Sequence, residues 1–387
     1  MTAKMTRRSV LGLMGAVPVA AGAAMALPHL AGATPANRPP AGAMPRDLLP
    51  GGAFDQLIAG YAAKDQFSGT VLLTHHGRQV LARAYGMADK QTNTANRLDT
   101  IFPLASVGKP FTGTAVVQLA SQGKIDFSAR LGTYLDGFPD SIANTVTVHQ
   151  LLTHTSGMGD YLGTPQWMSN AAHFTSQTQE FDAALEIIRA EPLLFTPGSS
   201  ASYSNSGYFT LGAIVAQVSG LSYYDYVRTH VFGTAGMTTA DFYTKPRRLT
   251  DPRIAHSYAS QPSGQRSDVT TLGAYVGTPS GDACASAVDM AAFGRALAGA
   301  HLLNPAYTAL MTSGKVPSPV GAFQAYGILA AIVHNQRVLL HGGGSPGEST
   351  NISIYPDLDW VAVVLSNYDF DMRPVLQLQD ELITRTG

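Results

Sequence analysis

The sequence predicts an α+β fold: one antiparallel sheet formed from both chain ends, flanked by helices, with a mostly helical subdomain between them. Three observations carry this. Apolar and β-branched runs gather near the start of the chain and again near its end. The links within each group are short and turn-rich, which forces antiparallel pairing because parallel strands need long crossovers. Between the two groups, most of residues 105–315 reads as helix or loop. At 387 residues and 45% hydrophobic, the chain has ample material for a large core.

The elements follow in order. Arg7 and Arg8 precede an apolar run over residues 10–27, and Ala31-Gly32-Ala33 or Ala24-Met25-Ala26 offers a small-residue cleavage site. Residues 1–33 therefore read as an export signal of the twin-arginine type. The run is long enough to span a membrane, but its Gly/Ala-rich core and cleavage sites favour removal, and no stable anchor is expected afterwards. A periplasmic or secreted bacterial protein is implied. The Pro/Gly/Ala-rich stretch 34–53 reads as a linker, which leaves residues 54–387 as the folded domain. "FDQLIAGYAAKD" (54–65) is an amphipathic helix with Phe54, Leu57, Ile58 and Tyr61 on one face. "SGTVLLTHHGRQVLARAYG" (68–86) is a hairpin around His76-Gly77.

Helices are expected over 111–122, ended by Gly123; over 206–218, ended by Gly220; and over 288–298, capped by Ser286 with Asp289 three residues on. Strands return in "YGILAAIV", "RVLLH", "TNISIYP" and "WVAVVLSN", with turns at Asn335-Gln336 and Asp357-Leu358-Asp359. A last amphipathic helix covers 372–383. The sheet region is thus about 54–105 and 320–387, and the helical region about 106–319.

Charge and composition exclude some functions. A net charge of −1 with no basic block gives nucleic acid nothing to bind through its phosphates. Removal of residues 1–33 takes away Lys4, Arg7 and Arg8 and no acid, so the mature chain is mildly acidic. Cys284 is the single cysteine, which rules out an intrachain disulfide, and "GDACASA" reads as core. His149 and His154 are five residues apart, off a common helical face and without an acidic partner, so no metal site is expected. No dinucleotide or phosphate loop is present, and no cofactor is expected.

"HGGGSPGES" (341–349) contains Gly343-Gly344-Ser345-Pro346-Gly347, which fits the G-x-S-x-G nucleophile elbow. Ser345 is nevertheless a decoy. The residue after an elbow serine donates its N–H to the oxyanion, and Pro346 has none. No histidine follows Ser345, and the strand pattern is antiparallel.

Ser106-Val107-Gly108-Lys109 is an S-x-x-K at the start of a helix. Positions i and i+3 share a face, so Lys109 reaches the Ser106 hydroxyl. The helix N-terminus favours developing negative charge and leaves the Ser106 N–H free. Pro110 fits a first turn. A second copy, Ser121 to Lys124, lies at a helix end already broken by Gly123. Tyr203-Ser204-Asn205 is the only Y-x-N among 16 tyrosines; Asn205 fits a plain N-cap and Tyr203 a core residue. A tyrosine beside a lysine cation also serves as a general base. His341-Gly342-Gly343 ends a strand whose edge an acyl group can line, with the Gly344 N–H as a second oxyanion donor beside Ser106 N–H.

In this order and spacing, S-x-x-K, Y-x-N and H-G-G in place of K-T-G resemble the superfamily of serine β-lactamases, DD-peptidases (penicillin-binding proteins) and family VIII esterases. "LLTHTSGMGDY" (151–161), "TPGSSASYSNSGY" (196–208) and the segment 341–367 are similar to it too. The resemblance implies the β-lactamase-like α+β fold and an acyl-enzyme on Ser106, with Lys109 as its helix-mate. Tyr203 is then the base, which later activates water. Asn205 positions the substrate, and His341 stands where the family's third-motif lysine would hold the Tyr203 end of the proton network. Histidine is often neutral at pH 7, and Gly342 lacks the hydroxyl that helps grip a carboxylate. Both departures favour uncharged esters or other small acyl donors. The alternatives are a β-lactamase or DD-peptidase, and a non-catalytic envelope sensor of the same fold.

Overall fold

The computed structural model describes residues 44–387. The expected signal peptide and residues 34–43 of the expected linker lie outside that range. The described remainder of the linker is folded rather than extended. Arg46–Leu48 forms a 3-10 turn, and Leu48 is fully buried beside Phe54.

The sheet has eight strands: β1 Gly69–His75, β2 Arg78–Tyr85, β3 Val316–Pro317, β4 Phe323–Gln324, β5 Leu329–Val333, β6 Gln336–Ser345, β7 Glu348–Tyr355 and β8 Trp360–Ser366, in the order β2-β1-β8-β7-β6-β5-β4-β3. Neighbouring strands pair antiparallel, and β1 pairs with β8, joining the two chain ends. The two-residue strands β3 and β4 carry too little pattern to be read from sequence. His76 and Gly77, both at positive φ, make the tight turn that matches strand twist. The β5–β6 turn falls on His334 and Asn335, also at positive φ, one residue earlier than expected.

Alternation along the strands fills both faces. Val71, Leu73, Ala362 and Val364 point to one side, where α1 (Ala53–Ala63) and the C-terminal helix Arg373–Thr384 pack. Leu72, Val361, Val363 and Leu365 point to the other and merge with the main core. That second side is covered by Ala287–Ala298, which packs on β1, β7 and β8. Gly294 makes the approach possible, since a Cβ there would sit 2.7 Å from Val361 Cγ1. This helix belongs to the sheet layer although it falls in the region read as the helical subdomain. Its Ser286–Asp289 capping box is formed as expected.

Two further helices carry the site: α2, Lys109–Ser121, and α3, Asn205–Ser219, which pack against each other. Gly220, in left-handed conformation, ends α3.

Candidate active site

Ser106 lies in the 3-10 turn Ala105–Gly108 that runs directly into α2. Pro110 occupies the first turn of α2, where no N–H is needed. Ala105, at φ +45°, holds a left-handed conformation unusual for alanine, and its carbonyl accepts the Asp282 N–H at 3.0 Å. Strain of this kind amounts to about 1–3 kcal/mol and persists only where surrounding contacts enforce it.

Lys109 is fully buried and makes three contacts through Nζ: 3.2 Å to Ser106 Oγ, 2.7 Å to Asn205 Oδ1 and 2.5 Å to the Ser280 carbonyl oxygen. Burial drives its pKa down from 10.5 to about 7, although Asp160 and then Asp282 favour the cation. The Tyr203 hydroxyl is 2.7 Å from Ser106 Oγ. Burial raises the Tyr203 pKa above its ordinary value, the charges of Asp160 and Asp282 add to this, and the Ser106 hydrogen bond opposes it. Tyr203 is therefore a phenol at neutral pH. Lys109 Nζ also stands 4.6 Å from the Tyr203 ring centre.

Asn205 is the first residue of α3, while Ser204 caps it through the Gly207 N–H. The N-cap is thus Ser204, which leaves Asn205 for the site. Its Nδ2 donates to Asp160 Oδ2 at 2.8 Å, which fixes the amide so that Oδ1 faces Lys109.

Strand β6 forms the opposite wall. Its pairing with β5 ends at Leu340, so from His341 to Ser345 it pairs with β7 alone and runs beside the Ser106 turn. Gly343 makes the contact: a Cβ there would fall 2.5 Å from the Leu104 carbonyl oxygen and 3.0 Å from Ser106 N. Gly342 has open space, its nearest neighbour being the Thr350 carbonyl oxygen at 4.0 Å. Gly344 follows on the same strand, opposite Ser349.

His341 is buried, and burial followed by the Lys109 charge lowers its pKa to about 3. Its Nδ1 is 2.8 Å from the Gly342 carbonyl oxygen, which can only accept, so the ring is the neutral Nδ1–H tautomer. This contact, rather than a hydrogen bond to Tyr203, is what the structure gives the expected third-motif residue.

Ser345 hydrogen-bonds to Glu348 Oε2 at 2.7 Å, and Ser257 donates to the other carboxyl oxygen. Among the described residues, no lysine, tyrosine or histidine hydrogen-bonds to its hydroxyl. Ser121 likewise donates to the Gln118 carbonyl at the far end of α2. Asp160 and the Ser280 carbonyl are the partners that sequence reasoning missed. Asp160 falls within the quoted "LLTHTSGMGDY", but a backbone acceptor such as Ser280 leaves no residue-type signal. Among the described residues, no cluster of His, Cys, Asp or Glu has a metal-holding arrangement.

A serine hydrogen-bonded to a buried lysine and a tyrosine, at the junction of an antiparallel sheet and a helical layer, defines a serine hydrolase of the acyl-transfer kind. The chain belongs to the Beta-lactamase family, whose model matches residues 54–382. It is 30% identical over 330 residues to penicillin-binding protein 4* of Bacillus subtilis, covering 80% of this chain and 70% of that one. It is 31% identical over 191 residues to the esterase EstB of Burkholderia gladioli, covering 47% of this chain and 48% of the esterase. Among solved structures, a penicillin-binding protein from Bacillus halodurans superposes with a TM-score of 0.75 at 28% identity, over 84% of this chain and 98% of that one.

Proposed function

We propose that the protein hydrolyses esters and related uncharged acyl donors through an acyl-enzyme on Ser106. The observation that carries this reading is the neutral wall opposite the serine. His341 is held neutral by burial and Gly342 bears no hydroxyl, so the 341–345 end of β6 that faces Ser106 offers no cation for a substrate carboxylate. The likeness to an esterase supports the same reading.

The hydrogen-bond geometry favours Lys109 as the base, where the sequence pointed to Tyr203. Two of the Lys109 partners, an amide oxygen and a carbonyl, can only accept. A neutral Lys109 spends its two N–H groups on them, and its lone pair then falls on the third partner, the Ser106 O–H. Ser106 Oγ attacks the acyl carbon as its proton passes to Lys109. The oxyanion is held by the Ser106 and Gly344 N–H groups. On collapse, Tyr203 gives its proton to the departing oxygen, and the proton that Lys109 took from Ser106 then passes directly to the tyrosinate beside it, Nζ standing 4.6 Å from the Tyr203 ring centre. Water then repeats the sequence on the acyl-enzyme, and Asn205 orients both Lys109 and the acyl group.

The second reading, action on β-lactams or D-amino-acid peptides, rests on the 30% identical penicillin-binding relative. Hydrolysis of p-nitrophenyl butyrate and nitrocefin by the mature protein separates the two. We expect the ester to be turned over with the higher kcat/KM; a preference for nitrocefin would overturn the ester reading, and a stable adduct without turnover would point to a sensor. Export through the paired arginines is part of the proposal. Arg7→Lys with Arg8→Lys should trap activity in the cytoplasm, and unchanged periplasmic activity would refute it.

A further inference from the structure

Tyr203 stands at the end of a segment that packing does not hold: residues 198–202 are exposed and have no regular structure. Its far end is tied by the Gly198 N–H to the Thr155 carbonyl at 2.8 Å, and the Ser204 hydroxyl donates to the Gly159 carbonyl at 2.8 Å, but the backbone on both sides of Tyr203 is held by one residue. The His154 carbonyl oxygen accepts the Ser202 N–H at 2.9 Å, and His154 Nδ1 accepts the Ser204 N–H at 3.1 Å. Both chain neighbours of Tyr203 are thus tied to the same histidine. Its ring also lies against the Tyr203 ring, with centroids 4.6 Å apart, and against Tyr208 at 4.9 Å. Tyr208 is anchored in turn through its hydroxyl to the Leu152 carbonyl.

The chemistry of His154 suits a clamp. An N–H donated to Nδ1 requires a lone pair there, so the ring is the neutral Nε2–H tautomer. It is 3% exposed, and burial keeps its pKa well below the ordinary value, with Lys109 and His341 acting in the same direction. Its backbone, at φ +59°, turns the carbonyl and the ring toward the same segment. Nothing in the histidine's spacing along the chain signalled this, because the partners lie far away in sequence.

We propose that His154 is a positioning residue, which by fixing Ser202, Ser204 and the Tyr203 ring holds the Tyr203 hydroxyl on Ser106 Oγ. It touches no reacting atom and acts entirely through Tyr203. This rests on the role given to Tyr203 above.

A double-mutant cycle on hydrolysis of an alkyl ester, whose leaving group needs the Tyr203 proton, tests it with the mature protein. His154→Ala should lower kcat by about a hundredfold, the loss expected from a misplacement of roughly 1 Å, while KM changes by less than about threefold. In the Tyr203→Phe background the same substitution should change kcat by less than about threefold, because the group it positions is already gone. His154→Asn should recover most of the loss. Its amide oxygen takes the place of Nδ1, and asparagine tolerates left-handed backbone. His154→Phe keeps a ring in the space but offers no acceptor, and it carries the cycle if the alanine variant does not fold. Losses that multiply in the double variant, or a His154→Ala enzyme with wild-type kcat, would overturn the clamp alone. Full activity in Tyr203→Phe would overturn the proton path and the clamp with it.

Discussion

Lys109 Nζ and the Ser280 carbonyl oxygen are 2.5 Å apart, the shortest of the three contacts that hold the buried amine. A carbonyl cannot donate, so one lysine proton stays committed to Ser280 in either charge state. Asn205 Oδ1 commits the second, and only the third is exchanged with Ser106.

The pH dependence follows. In the proposed mechanism the base is active when Lys109 is neutral, above its pKa of about 7. kcat/KM should fall about tenfold per unit below that point. Tyr203 must keep its proton, and its raised pKa predicts no alkaline fall as far as pH 10. Asp160→Asn removes a charge that favours the Lys109 cation while keeping an acceptor for Asn205 Nδ2, so the acid limb should move to lower pH. Stopped-time assays across the range check this. An acid limb that stays in place or moves upward in Asp160→Asn would contradict the assignment of Lys109.

Tyr203→Phe should lower kcat by about 10²–10⁴-fold on alkyl esters, the range for general acid–base groups. The loss should be much smaller on p-nitrophenyl esters, whose leaving group departs without a proton. Equal losses on both would remove Tyr203 from leaving-group protonation.

Gly342 and Gly343 are chemically identical neighbours with opposite tolerance. A methyl group at 343 collides with the Leu104 carbonyl and crowds Ser106 N, whereas at 342 it meets nothing closer than 4.0 Å. Gly343→Ala should abolish turnover, and Gly342→Ala should retain kcat within about threefold, as surface-like substitutions do. Steady-state kinetics on the two variants decide it.

Lys109 opposes folding. Its pKa falls from 10.5 to about 7 on burial, so the fold disfavours the cation by on the order of 5 kcal/mol. That penalty is complete below pH 7 and fades as pH rises toward 10.5. Lys109→Met should be inactive yet melt no lower than the parent at pH 6–7, with any advantage shrinking toward pH 10. Calorimetry showing a markedly lower Tm would contradict this.

Much of the fold was legible because strand and helix periods are local. Phe54, Leu57, Ile58 and Tyr61 on one helix face, or Ser286 with Asp289 at a cap, announce themselves within a few residues. That Ser106, Lys109 and Tyr203 would come together was legible from the S-x-x-K and Y-x-N spacings, and their side chains do meet. What remained hidden was set by distant backbone. Ser280 acts through its carbonyl, which any residue would supply, and His154 through partners about fifty residues away. The packed end of the expected linker escaped because Leu48 and Leu49 form one short apolar pair among Pro, Gly and charged residues, with no period to reveal it. The helix Ala287–Ala298 was found but assigned to the wrong layer, because amphipathicity shows that a face is buried and not against what.

The central claim, a covalent intermediate on Ser106 with Ser345 a bystander, is tested most directly by intact-protein and peptide mass spectrometry. The mature protein, Ser106→Ala and Ser345→Ala would each be treated with a fluorophosphonate probe. The account predicts one adduct, mapped to the peptide bearing Ser106, in the parent and in Ser345→Ala, and none in Ser106→Ala. An adduct on Ser345, or undiminished labelling of Ser106→Ala, would contradict it.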